Sequence, residues 1–102
     1  MINGTKITVF DEIVTLKEAK YSNGRLAITS TVEDEDGFVE PFGTLTTNVI
    51  DAILGKNEII IKDWSENVEF AEACFATGLF ENTGRTISTG HVEAPVWRIK
   101  GE

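Results

Sequence analysis

Tyr21-Ser22-Asn23-Gly24-Arg25 is the stretch whose reading decides the fold. Asn-Gly between two alternating runs is the strongest short hairpin signal, because both central residues of a type I′ turn need positive φ. Downstream, Leu26, Ile28, Ser30 and Val32 recur at period two, so residues 26–33 form the returning strand. Upstream, residues 12–21 read as its partner, with Ile13 and Val14 near the start and Leu16 in the middle. Residues 5–10 alternate too, with Ile7 and Val9 on one face.

Working outward, Glu33-Asp34-Glu35-Asp36-Gly37 reads as a second turn and residues 38–49 as a further strand. Within that strand Pro41 and Gly43 mark a bulge or an edge position. Leu45, Thr47 and Val49 share one face of it, and Thr44 and Thr46 the other. Residues 51–55 have the form of one helical turn, capped by Asp51 and stopped by Gly55. The Ile59-Ile60-Ile61 run in a short strand over 58–62 implies burial on both faces. One substantial helix is expected over 66–77, capped by Ser65 or Asn67 and stopped by Gly78. Glu66, Glu69 and Glu72 come early in it, where they suit the helix dipole, and Val68, Ala71, Phe75 and Leu79 form its buried stripe. Residues 81–95, rich in Gly, Thr and Ser and weakly periodic, read as a loop. Residues 96–100 close the chain as a strand, with Trp97 and Ile99 on one face. This order predicts the α+β class: an antiparallel sheet of five or six strands with one main helix packed on one face.

A chain of 102 residues fits one domain and can bury one modest core. Its 41% hydrophobic and 25% charged residues match a globular domain and argue against disorder. Cys74 is the sole cysteine, so no intrachain disulfide can form, which fits a reducing compartment. The first residues lack the basic and apolar pattern of a signal peptide, no apolar run is long enough to span a membrane, and a cytoplasmic location is the expectation. Nine Lys and Arg against 17 Asp and Glu give a net charge of −8. Nucleic-acid affinity comes largely from basic contacts to phosphate, so this balance argues against direct DNA or RNA binding and against an anionic membrane. It suits a partner with a basic surface, or simply keeps the protein in solution.

The motifs that carry chemistry are weak. Asp34-Glu35-Asp36-Gly37 fails as a calcium loop, because the twelfth position, which must hold a bidentate Glu, falls on Leu45 or Thr44. Cys74 stands in the second half of the helix, where the dipole does not favour a thiolate, and reads as a small core residue. His91, the sole histidine, reads as a surface residue, and one His with one Cys makes no zinc site without carboxylates. No metal and no cofactor is expected. Gly78, Gly84 and Gly90 accompany Thr83, Arg85, Thr86 and Thr89, but the order helix, loop, strand is the reverse of a phosphate-binding loop. Arg85 is expected to pair with Glu66 or Glu81 and pin this segment, which remains the best recognition loop. Trp97 and Trp64 read as core or rim, and a part-exposed Trp64 would make a binding anchor.

Three sets of segments resemble a small uncharacterised family, a domain of unknown function carried by phages and conjugative elements of Gram-positive bacteria. They are Tyr21-Ser22-Asn23-Gly24-Arg25-Leu26-Ala27-Ile28, then Ile61-Lys62-Asp63-Trp64-Ser65-Glu66-Asn67, then Thr83-Gly84-Arg85 with Thr89-Gly90-His91-Val92-Glu93 and Pro95-Val96. Gly43 and residues 51–55 depart from the pattern. The resemblance implies an accessory protein of mobile DNA and carries no catalytic residue.

Size, charge and the missing catalytic set point to a non-enzymatic interaction protein. One concrete version is an inhibitor of a host defence system such as a CRISPR effector, occupying a basic nucleic-acid channel. Asp34, Glu35, Asp36 and Glu40 would supply charge, and Trp64, Arg85 and His91 contacts. The alternative is a sponge for a small molecule or nucleotide through the Thr/Gly/Arg segment. A homo-oligomer is open in either reading.

Overall fold

A computed structural model describes residues 2–100. In chain order its elements are β1 (Lys6–Val9), β2 (Glu12–Lys20), β3 (Leu26–Glu33), β4 (Val39–Thr44), β5 (Thr46–Thr47) and β6 (Glu58–Ile61). A single 3-10 turn (Ser65–Asn67) leads into α1 (Val68–Phe75), and β7 (Phe80–Ser88) and β8 (Glu93–Ile99) complete the fold. The class is α+β, but one sheet of five or six strands is not what forms. Two four-stranded sheets do, ordered β1-β2-β3-β4 and β5-β6-β8-β7.

The split occurs at Leu45. The strand expected over 38–49 leaves the first sheet there and enters the second. Leu45 donates its N–H to the Ile28 carbonyl at 2.8 Å and accepts from the Lys62 N–H at 2.7 Å. Its side chain is fully buried, so one residue joins both backbones and fills the corner between them. The irregularity expected at Pro41 and Gly43 is a β-bulge: Ser30 pairs with Gly43 and Thr31 with Pro41, leaving Phe42 as the extra residue. Its ring meets Phe70 of α1 edge-on, with centroids 5.5 Å apart. Pro41 lies on an edge strand, where its missing N–H costs no ladder bond.

The first sheet is a meander of hairpins. At Tyr21 to Arg25 the turn is not the expected type I′: only Gly24 has positive φ, and the Gly24 N–H donates to the Tyr21 carbonyl. The loop thus has three residues, with glycine in the left-handed position. The β3–β4 turn repeats this geometry with Gly37. Two consecutive positive φ values occur instead at Phe10 (52°) and Asp11 (65°), between the paired Val9 and Glu12. Neither residue has glycine's freedom there. Asp11→Gly should therefore raise the unfolding free energy by about 1 kcal/mol, seen as a higher denaturant midpoint at unchanged slope.

In the second sheet β6 and β7 each run antiparallel to β8, which lies between them, so β6, α1 and β7 form a crossover around an inserted strand. Residues 81–95 are therefore not a loop but most of the β7–β8 hairpin. β7 is an edge strand, mostly exposed past Phe80, so no core face imposes an apolar alternation on it.

One core lies between the sheets and α1. It includes Val14 and Leu16 of β2, Ile28 of β3, Ile59 and Ile61 of β6, Phe70 and Cys74 of α1, Phe80 and Trp97. Ile2 is fully buried in it. Burial of the isoleucine run on both faces is confirmed, since Ile60 points away from this core yet is buried with Val96 and Ala94. The outer face of the second sheet is crossed by residues 48–57, which form an irregular strap rather than the expected helical turn at 51–55. Arg25 donates to the carbonyls of Val49, Ile50 and Ala52. Arg85 donates to that of Ile53 at 2.7 Å, and the Gly55 N–H donates to Glu58 at 2.7 Å. Two arginines, Arg25 of the β2–β3 turn and Arg85 of β7, thus satisfy strap carbonyls that have no ladder partner.

Candidate binding surface on helix α1

The helix is shorter than expected and rotated about its axis. Val68 and Phe75, assigned to the buried stripe, are 37% and 43% exposed, while Phe70, Ala71 and Cys74 face the core. In so short a helix, residues 68, 71 and 75 and residues 70, 71 and 74 both satisfy helical spacing, and only tertiary packing chooses. Neither expected cap bonds through its side chain to the helix. Asn67 instead donates from Nδ2 to the Thr44 carbonyl at 3.0 Å and the Lys62 carbonyl at 2.8 Å, tying the helix start to the ends of β4 and β6. Gly78, with φ of 79°, stops the helix as expected.

Rotation leaves a groove between α1 and the β7–β8 pair, about 380 Å³ in volume. Val68, Ala71 and Phe75 form its helical wall, Trp97 its floor, and Asp63, Glu72 and Asn82 its polar rim. Phe75 rests on Trp97 with ring centroids 4.9 Å apart, and Trp97 on Phe80 at 5.6 Å. The aromatic wall is therefore held rigid from behind while its outer edge stays in solvent. Asp63, Glu66, Glu69 and Glu72 are all exposed, and no Lys, Arg or His occurs between Lys62 and Arg85. The lining of the groove thus combines apolar side chains with two carboxylates and holds no basic side chain.

The residues singled out from sequence are not brought together. Asp34 uses its carboxylate to close its own turn, accepting from the N–H groups of Asp36 and Phe38 at 2.9 Å each. Glu35, Asp36 and the β4 residue Glu40 are exposed and form a second acidic region at the β3–β4 hairpin. Trp64 is half-buried at the corner before the 3-10 turn and does not line the groove. His91 is exposed at the tip of the β7–β8 hairpin, beside Gly90 with its φ of 100°. Arg85 pairs with neither Glu66 nor Glu81. Its partner is Glu58, at 2.8 Å. Glu81 goes to Arg98, which also faces Glu58 at 3.5 Å, so the three strands β6, β8 and β7 share one charge ladder. With Arg85 engaged in the strap, the segment proposed for nucleotide binding has lost its phosphate donor.

Burial pushes the Cys74 thiol up to about 12, the opposite of an activated nucleophile. Among the described residues no three His, Cys, Asp or Glu side chains stand together in a way that could hold a metal ion, and no helix is long and apolar enough to cross a membrane.

Glu58 is held below its ordinary value of 4.5, first by the Gly55 N–H and then by Arg85 and Arg98, with burial opposing. A lowered carboxylate stabilises the fold above its unfolded value, and that stability is lost as the pH falls through the native value. Glu58→Gln should therefore flatten the loss of stability below about pH 4.5 and loosen the strap, read as faster amide exchange at 49–55.

By architecture this is a two-sheet α+β domain whose single helix presents an acidic, aromatic-walled groove. Compared with protein-family models, curated proteins and solved structures, the chain significantly matches none.

Proposed function

We propose that this protein is a non-enzymatic acidic binding module that engages a basic segment of a partner protein through the groove beside α1. The observation that carries this reading is the pairing of half-exposed Val68 and Phe75 with a groove lining that holds two carboxylates, Asp63 and Glu72, and no basic side chain. A large apolar side chain of the partner would fill the space above Trp97, and Arg or Lys neighbours would meet Asp63 and Glu72. Arg85, the cation of the Thr/Gly/Arg segment, is held by Glu58 and the Ile53 carbonyl, which weighs against the nucleotide-sponge alternative. The β3–β4 hairpin, with Asp34, Glu35, Asp36 and Glu40, adds long-range attraction for the same basic partner. A basic nucleic-acid channel of a host defence effector has this chemistry, and the resemblance to mobile-element proteins supplies that setting.

Peptides alternating Arg or Lys with Leu or Phe should bind in a salt-sensitive manner and shift the NMR signals of Val68, Glu72, Phe75 and the Trp97 indole. Glu72→Lys with Asp63→Lys should weaken binding by about 10- to 100-fold without altering the fold. Absence of binding to such peptides at millimolar concentration would remove this reading.

A further inference from the structure

The outer face of the first sheet is a different surface, and it carries charges of both signs. Val14 and Leu16 point into the core, so Ile13, Thr15 and Lys17 of β2 face outward. Thr15 lies opposite Lys6 on β1 and Thr31 on β3, and Glu33 lies opposite Val39 on β4. These strands enclose a shallow depression of about 450 Å³, lined among others by Lys6, Ile13, Lys17, Glu33, Asp34 and Val39. Phe10 and Phe38 stand at the same end of the sheet, one in the β1–β2 turn and the other beside the β3–β4 turn. Ile13, Val39, Phe10 and Phe38 are each between 58% and 69% exposed. Ile13 and Val39 on the face itself, with exposed Phe10 and Phe38 at the turns beside it, form an apolar patch of the kind that marks an interaction surface.

We propose that this face takes a second copy of the chain, related by a two-fold axis. The argument is charge complementarity. The protein carries −8 overall, so most of its faces repel a copy of themselves. This depression has two lysines, Lys6 and Lys17, and two acids, Glu33 and Asp34, around apolar residues. A two-fold interface is self-complementary, so a rotation that sets Lys6 and Lys17 against Glu33 and Asp34 of the other copy does so twice. The short Thr15 and Thr31 side chains between them permit the close approach of two sheets. This surface lies on the first sheet, away from the α1 groove; it shares only Asp34 with the acidic hairpin assigned to the basic partner, and it does not depend on the reading of that groove.

Sedimentation equilibrium of the full chain from micromolar to millimolar concentration tests the proposal. A reversible dimer is expected. Ile13→Asp, at an exposed position, should weaken it by at least about tenfold with an unchanged near-ultraviolet tryptophan signal. Lys17→Glu should dissociate the dimer, and mixing it with a Glu33→Lys chain should restore a heterodimer. A wild-type chain that stays monomeric at millimolar concentration would overturn the proposal. So would a dimer indifferent to Ile13→Asp, or reversed charges that fail to pair.

Discussion

Replacing Phe70 with alanine is expected to lower the unfolding free energy by about 3–5 kcal/mol, whereas Phe75→Ala should lower it by less than about 1.5 kcal/mol. Both aromatics lie on α1, five positions apart, and the sequence pattern places Phe75, not Phe70, in the buried stripe. Phe70 is 1% exposed and wedged between the bulged Phe42 and the joint core of the two sheets, so its removal opens a cavity that the surrounding backbone cannot close. Phe75 keeps one edge in water and rests on Trp97. The two substitutions should reverse in binding. Phe75→Ala removes the groove wall and should weaken basic, apolar peptides by about 30-fold, the loss of one aromatic hot spot. Chemical denaturation together with peptide titration reads both effects. Equal stability losses for the two variants would mean that α1 is rotated otherwise than described.

Asn67→Ala should cost about 2–3 kcal/mol, more than its size suggests, because it strips a donor from two carbonyls at once. Thr44 O and Lys62 O mark the ends of β4 and β6, and the Asn67 amide is the bridge that seats α1 across them. Asn67 itself is nearly buried, and among the described residues every fully buried side-chain N or O atom has a hydrogen-bond partner. Asn67→Asp makes a sharper test. An ionised carboxylate only accepts, so at neutral pH it faces two carbonyls it cannot bond. Its native value would be raised, so the variant should regain stability as the pH falls through that value, where the acid can donate. Urea midpoints at pH 7 and pH 4 measure it. An Asp variant as stable as wild type at both would show that the amide bridge contributes nothing.

The proposed binding surface is only half legible in the sequence. Its charge is legible in the chain: Glu66, Glu69 and Glu72 recur at a spacing of three, and no base interrupts them from Asp63 to Gly84. Its apolar half is not, because Val68 and Phe75 carry the pattern of a core stripe. Arg85 and Glu58 illustrate the reverse case. They are 27 positions apart, and only the bend of the chain around β8 makes them partners.

Local chemistry, acting over a few residues, was enough to place the hairpins at Gly24 and Gly37, the bulge near Pro41 and Gly43, the helix stop at Gly78, the double-sided burial of Ile59-Ile60-Ile61 and the inert Cys74. Tertiary structure alone decided the division into two sheets at Leu45, the rotation of α1, the strap over 48–57 and the extension of β7. The physical reason is range. A turn or a cap is settled by the φ preference and hydrogen bonds of neighbouring residues. Which face of a short helix is buried, and which carbonyl a distant arginine reaches, depend on groups that meet only after the chain has closed on itself.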